Sequence, residues 1–403
     1  MTSPPAPPLR LLLLVADTGG GHRSAACAVS QALAARHPGR FAPVLVDPLG
    51  GPAVPFRLRW PVGLYGPCVR LAPWLWGILW RFAGSPRNLA FLRRTLFSPA
   101  TDGVADAVAA WRPAAIVAFH AMTARPAVRA RDRITPGIPV ITVVTDLIRM
   151  HLAWRDGGTD LTLVPSTAAA ERFMLDGLGP DRCVEIGLPV PASFTGTPPP
   201  LRQRAAIRQA LGLTGRFVVV VAGGAEGSGG IFRRAASLVR RLDGVDVVAI
   251  CGRNRRVQRK LARLAARAGG RLTVHGMVDN MADWLRCADL VVTKAGPGMI
   301  AEAACCGVPL VLTSHLPGQE EGNTEFVVAA GAGVHVPKTR QLAAAVARLR
   351  ADPAALAAMG AAAAALGRPG AAADIADLLA GLVDETGHGH APGKGDVPAV
   401  LSG

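Results

Sequence analysis

The sequence predicts an α/β protein built from two Rossmann-like, doubly wound parallel-sheet domains facing a cleft. Three observations carry this expectation. Short leucine- or valine-rich runs alternate with stretches of helical length; the alternation stops at a proline-rich interval and then resumes; and glycine clusters follow the ends of apolar runs. A length of 403 residues suits two domains at roughly 100 to 200 residues each.

Taken in order, the apolar runs of the first half are Leu11 to Val15, Ala42 to Val46, Ala115 to Phe119, Val140 to Val144 and Leu161 to Val164. The first opens an apolar stretch, Leu9 to Ala16, that resembles the core of a signal peptide. It is short, interrupted by Arg10 and followed by glycines, so a buried first strand is the better reading. The helix after it begins near Arg23 and stops at His37, Pro38 and Gly39. Leu188 to Pro200 holds five prolines and reads as a linker. Beyond it come Phe217 to Val221, Val245 to Ile250, Leu272 to His275, Leu290 to Val292 and Val308 to Leu312. The expected divisions are 9–190, 201–350, alanine-rich helices over 351–384 that include a last helix from Ala371 to Val383, and a disordered tail over 385–403.

Composition narrows the partners. Half the residues are hydrophobic and 18% are charged, which excludes a wholly disordered chain. The net charge is +16, carried almost entirely by arginine because only Lys260, Lys294, Lys338 and Lys394 are lysine. Anionic partners follow: nucleic acid, an anionic lipid surface or a phosphate-bearing substrate. The seven cysteines are scattered with no C-x-x-C pair, so a reducing compartment fits better than a disulfide framework or a structural zinc site. No run of about 20 apolar residues is present to span a bilayer.

Asp17-Thr18-Gly19-Gly20-Gly21-His22 lies between a strand and a helix. Glycines there allow a tight turn and close approach of a ligand, and the helix start favours negative charge. His22 stands where a general base can reach a substrate. Thr145-Asp146-Leu147, with His151 and Trp154 behind it, also follows a strand. Asp146 is either an orienter of His22 or a cap for the next segment, and His151 either meets the acceptor or is a loop residue.

In the second half, Ala222 to Gly230 contains Gly223 and Gly224 after a strand. The spacing matches neither G-x-G-x-x-G nor a P-loop, which leaves a phosphate-facing nest. Thr293 to Ala303 runs from a strand through Gly296-Pro297-Gly298 into a helix that carries Glu302. The turn amides suit a pyrophosphate and the carboxylate suits ribose hydroxyls. One strand later, Gln319, Glu320 and Asn323 supply polar groups for a sugar. No Asp-x-Asp triplet is present to hold a metal, and neither a metal nor a cofactor is expected.

These motifs together resemble the monogalactosyldiacylglycerol synthase and processive diacylglycerol glucosyltransferase group of glycosyltransferase family 28. They are G-G-G-H, T-D-L with later H and W, G-G-x-E-G, V-x-G-x-V-D-N-M-x-D-W over 274–284, K-A-G-P-G-x-I-A-E-A and P-G-Q-E-E-G-N, in order over 11 to about 335. The resemblance implies a GT-B fold with the lipid acceptor in the first domain and a UDP-hexose in the second. It implies Glu302 at the ribose, Gly298 and neighbouring amides at the diphosphate, and Gln319, Glu320 and Asn323 at the hexose and adjacent phosphate. Val274 to Val278 would lie beside the uracil, and His22 would act as the base or beside it, with Gly20 and Gly21 on the acceptor side. The resemblance further implies an inverting transfer to diacylglycerol or a related lipid. Met299 departs from the group, whose members commonly carry threonine there.

A segment over about 56–96 points to a lipid surface by its residues alone. Trp60, Trp74, Trp76 and Trp80 are four of the seven tryptophans, interleaved with Arg57, Arg59, Arg70, Arg81, Arg87, Arg93 and Arg94. Aromatic rings at headgroup depth beside arginines describe an interfacial segment. A buried insert is the alternative, and nucleic acid is not expected beside sugar-nucleotide motifs. The expected location is the cytosolic face of a membrane, peripherally bound. A UDP-sugar epimerase of similar build and a non-catalytic lipid-surface module are the competing functions.

Overall fold

The computed structural model describes residues 7–50, 54, 56–155, 158–196, 201–213 and 217–387. Pro198, Pro199 and Pro200 of the expected linker, the Arg57 side chain and positions 388–403 of the expected tail lie outside the described residues.

The strands of the first sheet are β1 (Leu9–Leu14), β2 (Phe41–Val46), β3 (Ala115–Ala118), β4 (Val140–Val143), β5 (Leu161–Val164) and β6 (Cys183–Glu185). The second sheet comprises β7 (Phe217–Ala222), β8 (Val245–Ile250), β9 (Leu272–His275), β10 (Leu290–Thr293), β11 (Leu310–Leu312) and β12 (Gly333–His335). Both sheets are six-stranded, in the orders β2-β1-β3-β4-β5-β6 and β12-β11-β10-β7-β8-β9. Every strand pairing is parallel.

β1 shows why the runs are continuously apolar rather than alternating. Leu11 and Leu13 join a core with Ala26, Val29 and Leu33 of the helix Gly21–Arg36. Leu12 and Leu14 join the opposite core with Val104 and Val108 of Ser98–Trp111 and Ala127 of Ala121–Ile134. Side chains of a strand point alternately to its two faces, and here helices cover both. Each buried leucine contributes about 1.5–3 kcal/mol. β7 repeats the pattern in the second sheet, where Val219 and Val221 pack with Leu238 of Ile231–Arg241 and with Leu342 and Val346 of Thr339–Ala351.

The chain forms two compact units. The first takes the residues up to Tyr65, Ile78–Ala192 and everything from Gly370; the second takes Gly66–Gly77 and Ser193–Pro369. The alanine-rich 351–384 region is thus divided. The helix Ala371–Gly387 places Ile375, Leu379 and Leu382 in the core of the first sheet. It is fastened there by Asp377, which accepts from Arg36 at 2.5 Å and His37 at 2.9 Å, and by an Arg40–Asp384 ion pair.

The strand orders locate the sites. β1 lies between β2 and β3, and β7 between β10 and β8, so connections leave these neighbours in opposite directions and open a crevice at the carboxyl ends. The turns after β1, β3 and β4 converge at the first crevice, and those after β7, β10 and β11 at the second.

Candidate active site

His22 is the second residue of the helix Gly21–Arg36. Its N-cap, Gly20, has φ +87, a left-handed backbone that a side chain would strain. This turn drops His22 into the first unit, where it is buried. Its Nδ1 lies 2.8 Å from the Phe119 carbonyl and 2.7 Å from Thr145 Oγ1. A carbonyl only accepts, so Nδ1 carries the proton and Nε2 keeps its lone pair. Burial pushes the His22 pKa down to about 4, partly offset by the Phe119 hydrogen bond. His22 is therefore a neutral imidazole with one nitrogen anchored and the other available as a base.

Asp146 is buried and accepts the indole N–H of Trp154 at 2.7 Å. Thus the bonds that orient His22 come from Phe119 and Thr145, whereas the Asp146–Trp154 bond fastens the segment after β4. Ser166 strengthens that segment by donating to the Leu147 carbonyl at 2.7 Å. His151 is buried too, with Nδ1 accepting from the Ala153 amide at 3.1 Å. Burial brings its pKa down to about 4, with a hydrogen bond to the Trp80 backbone acting against this and Arg93 and Arg155 adding to it.

His120 escaped the sequence reading. It follows β3, caps the helix Ala121–Ile134 by accepting from the Met122 amide at 3.2 Å, and meets the His22 ring edge-on at 4.6 Å. Burial, then His22 and His151, hold its pKa well below the ordinary histidine value. Its available signal was position, since it ends the β3 run as His22 ends the β1 turn.

The aromatic segment folds as four short helices, Phe56–Gly63, Tyr65–Leu71, Pro73–Ala83 and Pro86–Arg94. Trp60 and Trp74 are 56% and 64% exposed, accompanied by Phe56, Leu71, Ile78, Leu79, Phe82 and Phe91. Two of the expected tryptophans are less exposed than these. Trp80 is partly covered, with its ring 5.2 Å from that of His151, and Trp76 is partly covered with its indole nitrogen buried. Arg81 is exposed. Arg70 is not a free lipid-facing charge, because it pairs with Glu226 at 3.2 Å within the second unit. No helix among the described residues is long and apolar enough to cross a membrane.

In the second unit the glycine-rich turn after β7 folds tightly on itself. A Cβ at Gly223 would come within 2.2 Å of the Ser228 carbonyl, and Gly224 has φ +65. Glu226 is buried in this turn and clamped by Arg70 and by Arg253, the latter at 3.1 Å. The turn after β10 leads through Gly296, the N-cap, into Pro297–Cys305, with open space over Gly298. Val278 is partly buried in the loop after β9.

The Glu302 carboxyl makes no hydrogen bond or ion pair among the described residues, and burial raises its pKa to about 7. A carboxyl without a partner suits a ligand that brings donors. Glu320, expected at the hexose, is already engaged: one oxygen pairs with Lys294 and the other accepts the Leu316 amide at 2.8 Å. Its role in this structure is to hold the loop to the end of β10. Asn323 donates to the Ala295 carbonyl at 2.9 Å, leaving its buried Oδ1 without a partner, and Gln319, earlier in the same loop, is partly buried.

Two parallel-sheet units of this topology, with glycine turns at both crevices, define a GT-B architecture, the two-domain fold of nucleotide-sugar glycosyltransferases. Residues 22–190 match the monogalactosyldiacylglycerol (MGDG) synthase family model, and residues 218–376 match the glycosyltransferase family 28 C-terminal domain. The chain is 30% identical over 363 residues to the probable monogalactosyldiacylglycerol synthase 2, chloroplastic, of Oryza sativa subsp. indica, covering 84% of this chain and 73% of that protein. It is also 30% identical to monogalactosyldiacylglycerol synthase 1, chloroplastic, of Arabidopsis thaliana, with 84% and 64% covered. The chain belongs to the monogalactosyldiacylglycerol synthase family. Among solved structures, Acinetobacter baumannii MurG aligns with a TM-score of 0.59 at 17% identity, covering 93% of this chain and all of that one. The UDP complex of S. aureus MnaA aligns at 0.60 with 14% identity, covering 93% and 97%. These two likenesses concern the fold.

Proposed function

We propose that the protein transfers a hexose, galactose or glucose, from UDP to the free hydroxyl of diacylglycerol or a related lipid at a membrane surface. In this reading His22 Nε2 takes the proton of the lipid hydroxyl as its oxygen bonds to C1 of the hexose. The bond from C1 to the β-phosphate oxygen breaks, and its electron pair leaves with UDP. A single displacement of this kind inverts C1. Charge on the departing diphosphate is met by the turn amides after β7 and β10 and by the start of the helix Pro297–Cys305.

The observation that carries the reading is the state of His22: neutral, buried, and anchored through Nδ1 so that only Nε2 can receive a proton. Glu302 supports the donor half, because a partnerless carboxyl suits two ribose hydroxyls. The exposed apolar residues of the four short helices support a lipid surface. An epimerase of the same fold has no use for that surface.

The test is UDP release from a panel of UDP-hexoses with and without diacylglycerol vesicles. Lipid-dependent UDP release and a glycosylated lipid are expected from UDP-galactose or UDP-glucose. Sugar conversion without lipid would favour the epimerase, and vesicle binding without UDP release would favour a non-catalytic module.

A further inference from the structure

The helix Ile231–Arg241 follows the glycine-rich turn and buries Ile231, Ala235, Leu238 and Val239. Arg234 falls on the same stripe, three residues after Ile231 and four before Leu238, where helical periodicity calls for an apolar side chain. Arg234 is 9% exposed. Its Nη2 donates to the Thr313 carbonyl at 3.0 Å, and no carboxylate pairs with it among the described residues. Burial lowers its pKa to about 10, which still leaves it charged at neutral pH.

A buried charge without a counter-charge is costly, so its surroundings indicate what completes it. Arg234 Nη1 lies against the turn, 3.3 and 3.2 Å from where Cβ atoms of Gly229 and Gly230 would stand. Both glycines have left-handed backbones, φ +77 and +72, and Gly230 caps the helix. Lys294 Cβ and Ser314 Oγ lie 3.4 and 3.5 Å from the same Gly229 position. The two cations at this turn differ in one respect. Lys294 is neutralised by Glu320, and Arg234 is not neutralised.

We propose that Arg234 is a donor-binding residue that supplies an uncompensated positive charge for the diphosphate of the nucleotide sugar. This inference rests on the UDP-hexose reading above. It adds a guanidinium, which can donate two parallel hydrogen bonds to phosphate oxygens, to a turn whose other contacts are backbone amides. In the transfer, the same charge faces the electron pair that leaves with UDP.

Titration of the full chain with uridine and with UDP separates the possibilities, using calorimetry for UDP and ligand NMR for the weaker nucleoside. Arg234→Gln removes the charge and, being shorter, also the donor to the Thr313 carbonyl, a loss that would affect uridine and UDP alike, whereas Arg234→Lys keeps the charge. Arg234→Gln is expected to weaken UDP about tenfold to a hundredfold more than uridine, and Arg234→Lys to restore part of the loss. UDP affinity retained in Arg234→Gln, or an equal loss for uridine and UDP, would overturn the assignment. Wild-type protein that binds neither ligand would instead remove the donor reading, and the assignment with it.

Discussion

Replacing Glu302 by glutamine separates the cost of a donor-site carboxylate from its use. Glu302 has a pKa raised from 4.5 to about 7 by burial, and no partner among the described residues offsets that burial. Glu302 is only partly covered, so solvent screens part of the effect and the shift corresponds to at most about 3 kcal/mol by which folding disfavours the ionised form. The raised value means that the penalty is absent below the unfolded pKa of 4.5, grows as pH rises toward 7 and is complete above it. Glutamine has nearly the same shape and no charge, but its amide is desolvated as well, so the net gain at pH 8 is about 1–3 kcal/mol. Thermal melts should show Glu302→Gln about 3–10 °C more stable than wild type at pH 8 and equal to it at pH 4. The same variant should bind UDP more weakly, because the ribose hydroxyls lose a charged acceptor. A stability difference of the same size at pH 4 and pH 8 would refute the account of a partnerless, desolvated carboxylate.

His22→Ala should lower kcat about 10²–10⁴-fold and leave UDP affinity unchanged; wild-type turnover by the variant would exclude His22 as the base. Because the His22 pKa is about 4, kcat should be flat from pH 5 to 8 and fall only toward pH 4. The KM for UDP-hexose should instead decline as pH rises through 7, where Glu302 ionises; an acid limb near 6.5 in kcat would contradict the assignment. Trp154→Phe leaves buried Asp146 without its indole donor and should cost about 1–3 kcal/mol in a denaturation measurement, whereas unchanged stability would show that bond to be idle. Changing Trp60, Leu71 and Trp74 to serine should reduce vesicle partitioning more than tenfold at unchanged melting temperature, given about 1.5–3 kcal/mol per large apolar side chain inserted. Equal partitioning would place lipid contact elsewhere.

The sequence revealed most of the strands because the central ones, such as β1, β3, β4, β7 and β10, are buried on both faces and read as apolar runs, and the edge strands β2 and β9 still carry apolar residues. β6 and β12 did not show, being three-residue edge strands too short to display a period and only partly buried. At the site, positions were more legible than partners. The G-G-G-H turn announced His22, but its anchors, Phe119 and Thr145, belong to β3 and β4 turns about 100 residues away in sequence, and only folding brings them together. Glu320 read as a sugar ligand because its polar loop follows a strand end, but its ion pair with Lys294, which stands 26 residues earlier, was not legible. Arg234 was hidden among neighbouring arginines, and its burial follows from the helical face it occupies.

The return of the last helix to the first sheet governs how the polypeptide can be divided. Neither unit is a contiguous stretch of the gene, since the first needs both ends of the described chain and the second takes in Gly66–Gly77. A fragment ending near residue 190 would leave bare the surface that Ile375, Leu379 and Leu382 cover, inviting aggregation. Exchange of the donor unit between relatives must therefore carry Gly66–Gly77 together with Ser193–Pro369 and keep the terminal helix alongside its own amino-terminal partner.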